Sequence, residues 1–203
     1  MADVRGHVTL PPPRYDGAAS LEYALRYRRS IREFARGALT LAEVGQLLWG
    51  AQGITHPMGF RTAPSPGALY PLVSYLVTGE VSSLTPGVYR YAPEEHALAT
   101  SGGGDRRAAL SSAALGQSWI ADAAAVLVLT AVYLRTTGKY GARGQRYVHI
   151  EIGHAAQNVY LQAFALGLGT TEVGAFDDDA VKTALALADD QDPLAIMPIG
   201  RIR

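Results

Sequence analysis

Apolar positions along this chain fall into two patterns, a three-to-four-residue recurrence in some stretches and short continuous runs in others. The longest recurrence predicts a helix over 145–166, where Val148, Ile152, Ala155, Val159, Ala163 and Leu166 share one stripe. The Gly-Leu-Gly at 167–169 ends it. Ile150, Leu161 and Phe164 lie on its other faces, so more than one side is expected to be buried. A second stripe, Leu41, Val44, Leu47 and Leu48, follows a capping box formed by Thr40 and Glu43 and ends at Gly50. Ser20 is placed to cap a short helix through Arg28, with Leu21, Ala24, Leu25 and Arg28 on one face. Asp105 caps a predicted helix to about Leu115, and Asp177 caps another from Asp178.

The continuous runs predict strands. Residues 72–78 (LVSYLVT) read as a buried strand and 124–133 as a central one, while 88–91 and 97–100 form a hairpin across Pro-Glu-Glu-His. Further strands are expected near 170–173 and 194–199, and 53–71 reads as a Gly- and Pro-dense loop. Residues 1–19, with PPPR and DGAAS, are expected to be an extended N-terminal arm, leaving 20–203 as one domain. Hairpin and scattered helices together predict an α+β fold with a mainly antiparallel or mixed sheet flanked by helices.

Composition removes several alternatives. The 203 residues are 48% apolar and 18% charged, which suits a folded globular chain. With no cysteine there is no disulfide scaffold, thiolate metal site or cysteine nucleophile. The longest apolar run, 123–134, is too short to span a bilayer as a helix, and the N-terminus shows no signal-peptide pattern, so a cytoplasmic protein without membrane contact is expected. Eighteen basic residues balance eighteen acidic ones, which argues against nucleic acid as a partner. Sixteen of the basic residues are arginine, so Lys139 and Lys182 are the only lysines available for proton transfer.

Most motif candidates fail on spacing. GLGTTEVG at 167–174 is not G-x-G-x-x-G and follows a helix, so it reads as a helix stop. SGGGD at 101–105 lacks the Lys-Ser/Thr ending of a phosphate loop and reads as a flexible turn. Glu151 and His154 form one E-x-x-H without the second that a di-iron site needs, and His149 and His154 lie about 140° apart around a helix. No metal is expected. No serine lies in G-x-S-x-G context.

Arg28-Arg29-Ser30-Ile31-Arg32 is different. Arg28 and Arg32 share a side whether the segment is helical or extended, and guanidiniums with a hydroxyl suit an anionic group such as phosphate. A surface arginine cluster is the competing reading. A second piece, Arg61 to Pro71 (RTAPSPGALYP), has two prolines flanking a serine and then a glycine, a backbone stiff enough to present amides to a flat ligand. Its competing reading is an ordinary rigid loop.

Taken in order, RRSIREF, RTAPSPGALYPL, GHAAQNVYLQAFALGLGTTEVGAF and a closing PIGR resemble the FMN-dependent nitroreductase superfamily, from about residue 26 to the end. Within it they look most like the SagB-type dehydrogenases, the group containing the azoline oxidases of thiazole/oxazole-modified peptide biosynthesis. The resemblance implies a homodimer of α+β subunits with FMN in clefts at the subunit interface. It assigns Arg28 to the FMN phosphate, Arg29 and Ser30 to the phosphate and ribityl chain, and Arg32 to the N1/O2 edge of the isoalloxazine. There a fixed cation would favour the reduced anion. Pro64, Ser65 and Gly67 match the loop supplied by the partner subunit, and Gly174 and Ala175 the turn whose amides approach N5. Arg201 and Arg203 stand where relatives continue into a tail with a further basic pair.

Lys139-Tyr140, in TTGKYGARGQRY, resembles the Lys-Tyr motif of the azoline oxidases, which assists deprotonation while hydride passes to N5. An exposed loop lysine is the competing reading. The resemblance therefore implies hydride transfer from a heterocyclic or similar small substrate to FMN, with oxygen as acceptor. The nineteen lead-in residues are too few for a peptide-recognition region, so a modified-peptide substrate would need delivery by another protein. The alternatives are an NAD(P)H-dependent nitro- or quinone-reductase and a non-catalytic flavin-binding module.

Overall fold

In the computed structural model, residues 6–203 are described. The strands are β1 (His7–Thr9), β2 (Phe34–Ala35), β3 (Leu72–Thr78), β4 (Gly87–Ala92), β5 (Ala97–Gly103), β6 (Ala125–Ala131), β7 (Leu168–Thr170) and β8 (Asp192–Ile202). The helices are α1 (Leu21–Tyr27), α2 (Leu41–Gln52), α3 (Arg107–Ala113), α4 (Trp119–Asp122), α5 (Leu134–Tyr140), α6 (Arg143–Ala165) and α7 (Asp178–Leu185). The strands form one sheet in the order β1-β5-β4-β3-β6-β8-β2, with β7 also on β8, and every strand pair is antiparallel.

Every residue of β3 and β6 is buried, because helices cover both faces of the sheet. Leu72, Leu76, Leu127 and Leu129 pack on one face against α2 and α6. Val73, Val77, Val126 and Val128 pack on the other, with Leu110 of α3 and Val181 and Leu185 of α7. The alternation along each strand thus supplies both cores at once.

The predicted caps form. Ser20 Oγ accepts from Tyr23 N at 3.1 Å and Asp177 Oδ1 from Ala180 N at 2.8 Å. Thr40 and Glu43 cap each other reciprocally, at 3.2 and 2.7 Å. Three expectations are corrected. The Ser-Gly-Gly of 101–103 continues β5 rather than making a turn. Arg106, without a side-chain hydrogen bond, occupies the N-cap of α3, and Asp105 instead binds the Arg107 amide at 3.0 Å. The segment before the long helix is itself helical: α5 ends on Lys139 and Tyr140. Within the 1–19 arm, His7–Thr9 pair with Ala97–Ala99 at the sheet edge; residues 1–5 lie outside the described residues.

Gly144 sets the angle between α5 and α6. A Cβ there would stand 2.8 Å from the Thr137 Cα, so only glycine lets the two helices meet this closely. Among the described residues, no helix is long and apolar enough to cross a membrane, and no group of three or more His, Cys, Asp or Glu could hold a metal ion.

Candidate active site

Past its C-cap residue Arg28, helix α1 gives way to extended chain, and the Ile31 amide donates to the Thr170 carbonyl at 2.9 Å. This pins the arginine segment against β7. Tyr160 of α6 stands between the two: the Arg28 guanidinium lies 4.9 Å over its ring, and the Ser30 hydroxyl is 3.2 Å from its hydroxyl. That hydroxyl also accepts the Glu172 amide at 2.7 Å, which fixes the turn leading to Gly174 and Ala175. Arg29 folds back to donate to the carbonyls of Arg26 and Arg28, at 3.0 and 2.8 Å. Arg32 sits 5.9 Å over the Trp119 ring. Among the described residues, none of Arg28, Arg29 and Arg32 is in an ion pair. Gly174 and Ala175 are exposed, the Ala175 carbonyl accepting from Gln117 Nε2 at 3.1 Å, and a side chain at Gly174 would meet open space.

The two C-terminal arginines are placed differently. Arg201 binds both oxygens of Glu43, at 2.6 and 2.9 Å, and the Ala38 carbonyl at 2.8 Å. Burial raises the Glu43 carboxyl, but its hydrogen bonds to Arg201 and Thr40 outweigh that and hold it below the ordinary range. Arg201 thus ties the end of β8 to the capping box of α2. Arg203 reaches Glu33 at 3.4 Å, both side chains largely in water, an arrangement worth little.

A second group forms around the Pro-Ser-Pro-Gly loop. Ser65 begins a 3₁₀ turn over Pro66–Ala68, and its hydroxyl accepts from the Tyr70 amide at 2.9 Å. Gly67 has φ +67°; a Cβ there would stand 2.7 Å from the Tyr140 hydroxyl and 3.1 Å from Lys139 Nζ. Lys139 Nζ lies 5.4 Å from the Tyr140 ring centroid, and Tyr140 meets Tyr147 edge-on at 5.1 Å. Lys139, Pro64 and Gly67 are exposed and Tyr140 is half-buried. Arg135 of α5 donates to the Tyr70 carbonyl at 3.1 Å, and Asn158 of α6 to the Thr62 carbonyl at 3.3 Å, so both helices grip the loop.

Beneath it lies Glu151, fully buried, with no well-formed hydrogen bond to either carboxylate oxygen. Burial pushes its carboxyl up to about 7; the nearby Ser65 hydroxyl and Arg61 guanidinium favour the charged form and offset only part of this.

Sequence reasoning missed Tyr160, which reads as one more apolar residue of a buried helix. Glu151 was visible only as half of a metal motif. An acid on a stripe of alanine and valine, between Val148 and Ala155, was the available signal for it.

The arginine group and the loop group do not meet. Among the described residues, no hydrogen bond, ion pair or ring contact joins Arg28, Ser30, Arg32, Gly174 or Ala175 to Ser65, Gly67, Lys139 or Tyr140. The donor set of the arginine group fits a phosphate-bearing flavin: guanidiniums without a carboxylate, a hydroxyl, and open space before the Gly174 backbone.

Comparison with known proteins agrees. The family model for the nitroreductase family matches residues 25–201. A Methanocaldococcus jannaschii protein named as a nitroreductase is 47% identical over 181 residues, 89% of this chain and 90% of its own. A crystal structure from Ralstonia eutropha, likewise named as a nitroreductase, superposes with a TM-score of 0.85 at 30% identity, covering 98% of this chain and 90% of its own. The Escherichia coli microcin synthetase McbBCD, solved with truncated pro-MccB17 bound, matches in fold at a TM-score of 0.75 and 24% identity, over 97% of this chain and 78% of its own. The chain belongs to the nitroreductase family and is an FMN-dependent oxidoreductase.

Proposed function

We propose that this protein is a SagB-type dehydrogenase that works as a homodimer, each FMN lying between the arginine half-site of one subunit and the loop half-site of the other. The convergence of Tyr140 and Lys139 on Gly67 is the observation that carries this reading, since it sets two proton-handling groups beside the loop assigned to the flavin. Bound FMN would supply a hydride acceptor at N5. Arg28, Arg29 and Ser30 would bind its phosphate and ribityl chain, and Arg32 would hold positive charge at the N1/O2 edge. The Gly174 and Ala175 backbone would face N5. Arg201 is left outside this set because Glu43 and Ala38 occupy its donors, and Arg203 because it points along the exposed Glu33.

Dehydrogenation of a heterocycle removes a hydride and a proton. The Tyr140 oxygen or Lys139 Nζ, in its unprotonated form, would take the proton. Oxygen would be the final electron acceptor. The substrate is a small heterocycle or a modified peptide, the second brought by another protein. Exposed Leu21, Tyr23, Leu25 and Tyr27 of α1 support association with a second copy, because so much apolar surface on one short helix is otherwise left in water. A cytoplasmic location accords with this reading.

The relative named as a nitroreductase favours a second reading, an NAD(P)H-dependent nitro- or quinone-reductase on the same fold. Purified protein should be yellow with FMN, and anaerobic NADH or NADPH should leave the colour intact. Rapid bleaching would establish the reductase instead. Replacing both Lys139 and Tyr140 should then abolish dehydrogenation while FMN stays bound.

A further inference from the structure

Beside Arg61, where the Pro-Ser-Pro-Gly loop begins, lies a cavity of about 150 Å³, lined among others by Gln52, Arg61, Ser74, Tyr91, Glu94 and Arg135. Three of its lining residues carry a buried polar atom without a partner: Gln52 Nε2, Arg61 Nε and Ser74 Oγ. Gln52 is 1% exposed and Ser74 3%, and the Arg61 side chain 12%. The orientation of the Gln52 amide follows from its other end, since Oε1 accepts from Arg61 Nη1 at 2.9 Å and leaves Nε2 free.

We infer that this cavity is a binding site for a small oxyanion, of the size and chemistry of phosphate, sulfate or a carboxylate. Two of the unpartnered groups are pure donors and the third is a hydroxyl that can donate, so a ligand that only accepts would satisfy all three. Two guanidiniums border the space. Burial is the main effect that lowers the Arg61 guanidinium, and the exposed Arg135 opposes its charge as well. Glu94, 3.3 Å from Arg61 with its side chain two-thirds exposed, and the buried Glu151 supply counter-charge. Buried donors without partners beside the largely buried Arg61 guanidinium are costly until an acceptor joins them, and an anion adds opposing charge as well. The volume would hold about five waters, or one tetrahedral oxyanion with a water beside it. Water alone would answer the donors without adding negative charge beside the two guanidiniums.

The position gives such an anion leverage. Arg61 stacks 4.6 Å over Tyr70 and Arg135 binds the Tyr70 carbonyl, so the bound group would clamp the loop that carries Ser65 and Gly67 to the helix that carries Lys139 and Tyr140.

The test uses FMN-loaded wild type, Arg135→Gln and Ser74→Ala, so that the flavin's own phosphate occupies the arginine segment, together with Arg28→Ala in the FMN-poor state that this substitution leaves. Thermal unfolding is followed while inorganic phosphate replaces chloride at constant ionic strength in all four proteins. The expected result is a saturating rise in unfolding temperature in wild type and Arg28→Ala, with phosphate affinity about tenfold weaker in Arg135→Gln. A rise without saturation that is equal in all four proteins is the general salting effect of phosphate and overturns the proposal. A rise lost only in Arg28→Ala places the anion in the flavin site and overturns it equally. Phenyl phosphate separates the sources of the group: a site for a free anion takes phosphate and refuses the ester, whereas a subsite for the end of a larger molecule takes both. Because Arg28→Ala carries its own reading, failure here leaves the flavin assignment standing.

Discussion

Glu151 concentrates in one residue the conflict between burial and charge. Its carboxyl is pushed up to about 7 from an ordinary 4.5, so between those values the folded chain keeps a proton that the unfolded chain has released. The stability this proton contributes is complete below about pH 4.5 and is lost as pH rises to about 7, at most about 3 kcal/mol. Glu151→Gln mimics the protonated form at every pH. The variant should match wild type near pH 5 and unfold several degrees higher at pH 8, read by thermal unfolding of both proteins in the same flavin state. His96, lowered by burial, is present in both proteins, so its contribution cancels and the difference belongs to Glu151. Parallel curves from pH 5 to pH 8 would mean that the carboxylate is charged throughout.

At the scale of elements, α5 depends on Gly144 in α6. An alanine there would set its Cβ 2.8 Å from both Cα and N of Thr137 and 3.0 Å from the Thr136 carbonyl carbon, all backbone atoms with no rotamer to yield. The helices must part, at a cost of about 1–3 kcal/mol, and Lys139 and Tyr140 move with α5. Gly144→Ala should therefore keep FMN, which the arginine segment is proposed to hold, while losing at least tenfold in turnover. Flavin absorbance and turnover measured on one sample decide it; loss of both together would mean that the whole subunit has loosened. The helix thus exposed as important is the one the pattern concealed. Leu-Arg-Thr-Thr-Gly-Lys-Tyr has no apolar stripe, a glycine, and two β-branched residues, all of which weigh against helix, and it forms because α6 packs on it. The opposite holds for α2, α6, β3 and β6, whose apolar periods are strong enough to be read directly. Strand β5 ran past its predicted end for the reason α5 was missed: neighbouring β4 supplies the ladder that Ser-Gly-Gly would not choose alone. In the site, the arginines and the Pro-Ser-Pro-Gly loop were legible because their residue types are unusual together. Tyr160 was not, because only the fold brings Ser30 and Glu172 to its hydroxyl.

The whole molecule raises the question of how two half-sites that do not touch within a subunit come to act on one flavin. In the proposed twofold dimer the same surface would face itself, so each loop half-site would be carried to the other subunit's arginines, and two complete sites would result. This arrangement has a consequence that a site built within one chain lacks. Arg28→Ala would damage the half proposed to hold phosphate. Gly67→Leu damages the other half, since its side chain is forced into a left-handed backbone position against the Tyr140 hydroxyl. Each variant alone should bind little FMN. Co-expressed under separate tags, they pair at random, and half of the dimers are mixed. In a mixed dimer one site carries both lesions and the other carries none, so the mixture should recover about one quarter of wild-type flavin content. Tandem purification of the mixed dimers should raise that to about one half, and their spectrum should match that of wild type. Size-exclusion chromatography of each single variant checks that it still dimerises. If the mixed dimers stay as colourless as their parents while remaining dimeric, both halves of the site belong to one chain, and the loop reaches its flavin by a rearrangement within the subunit.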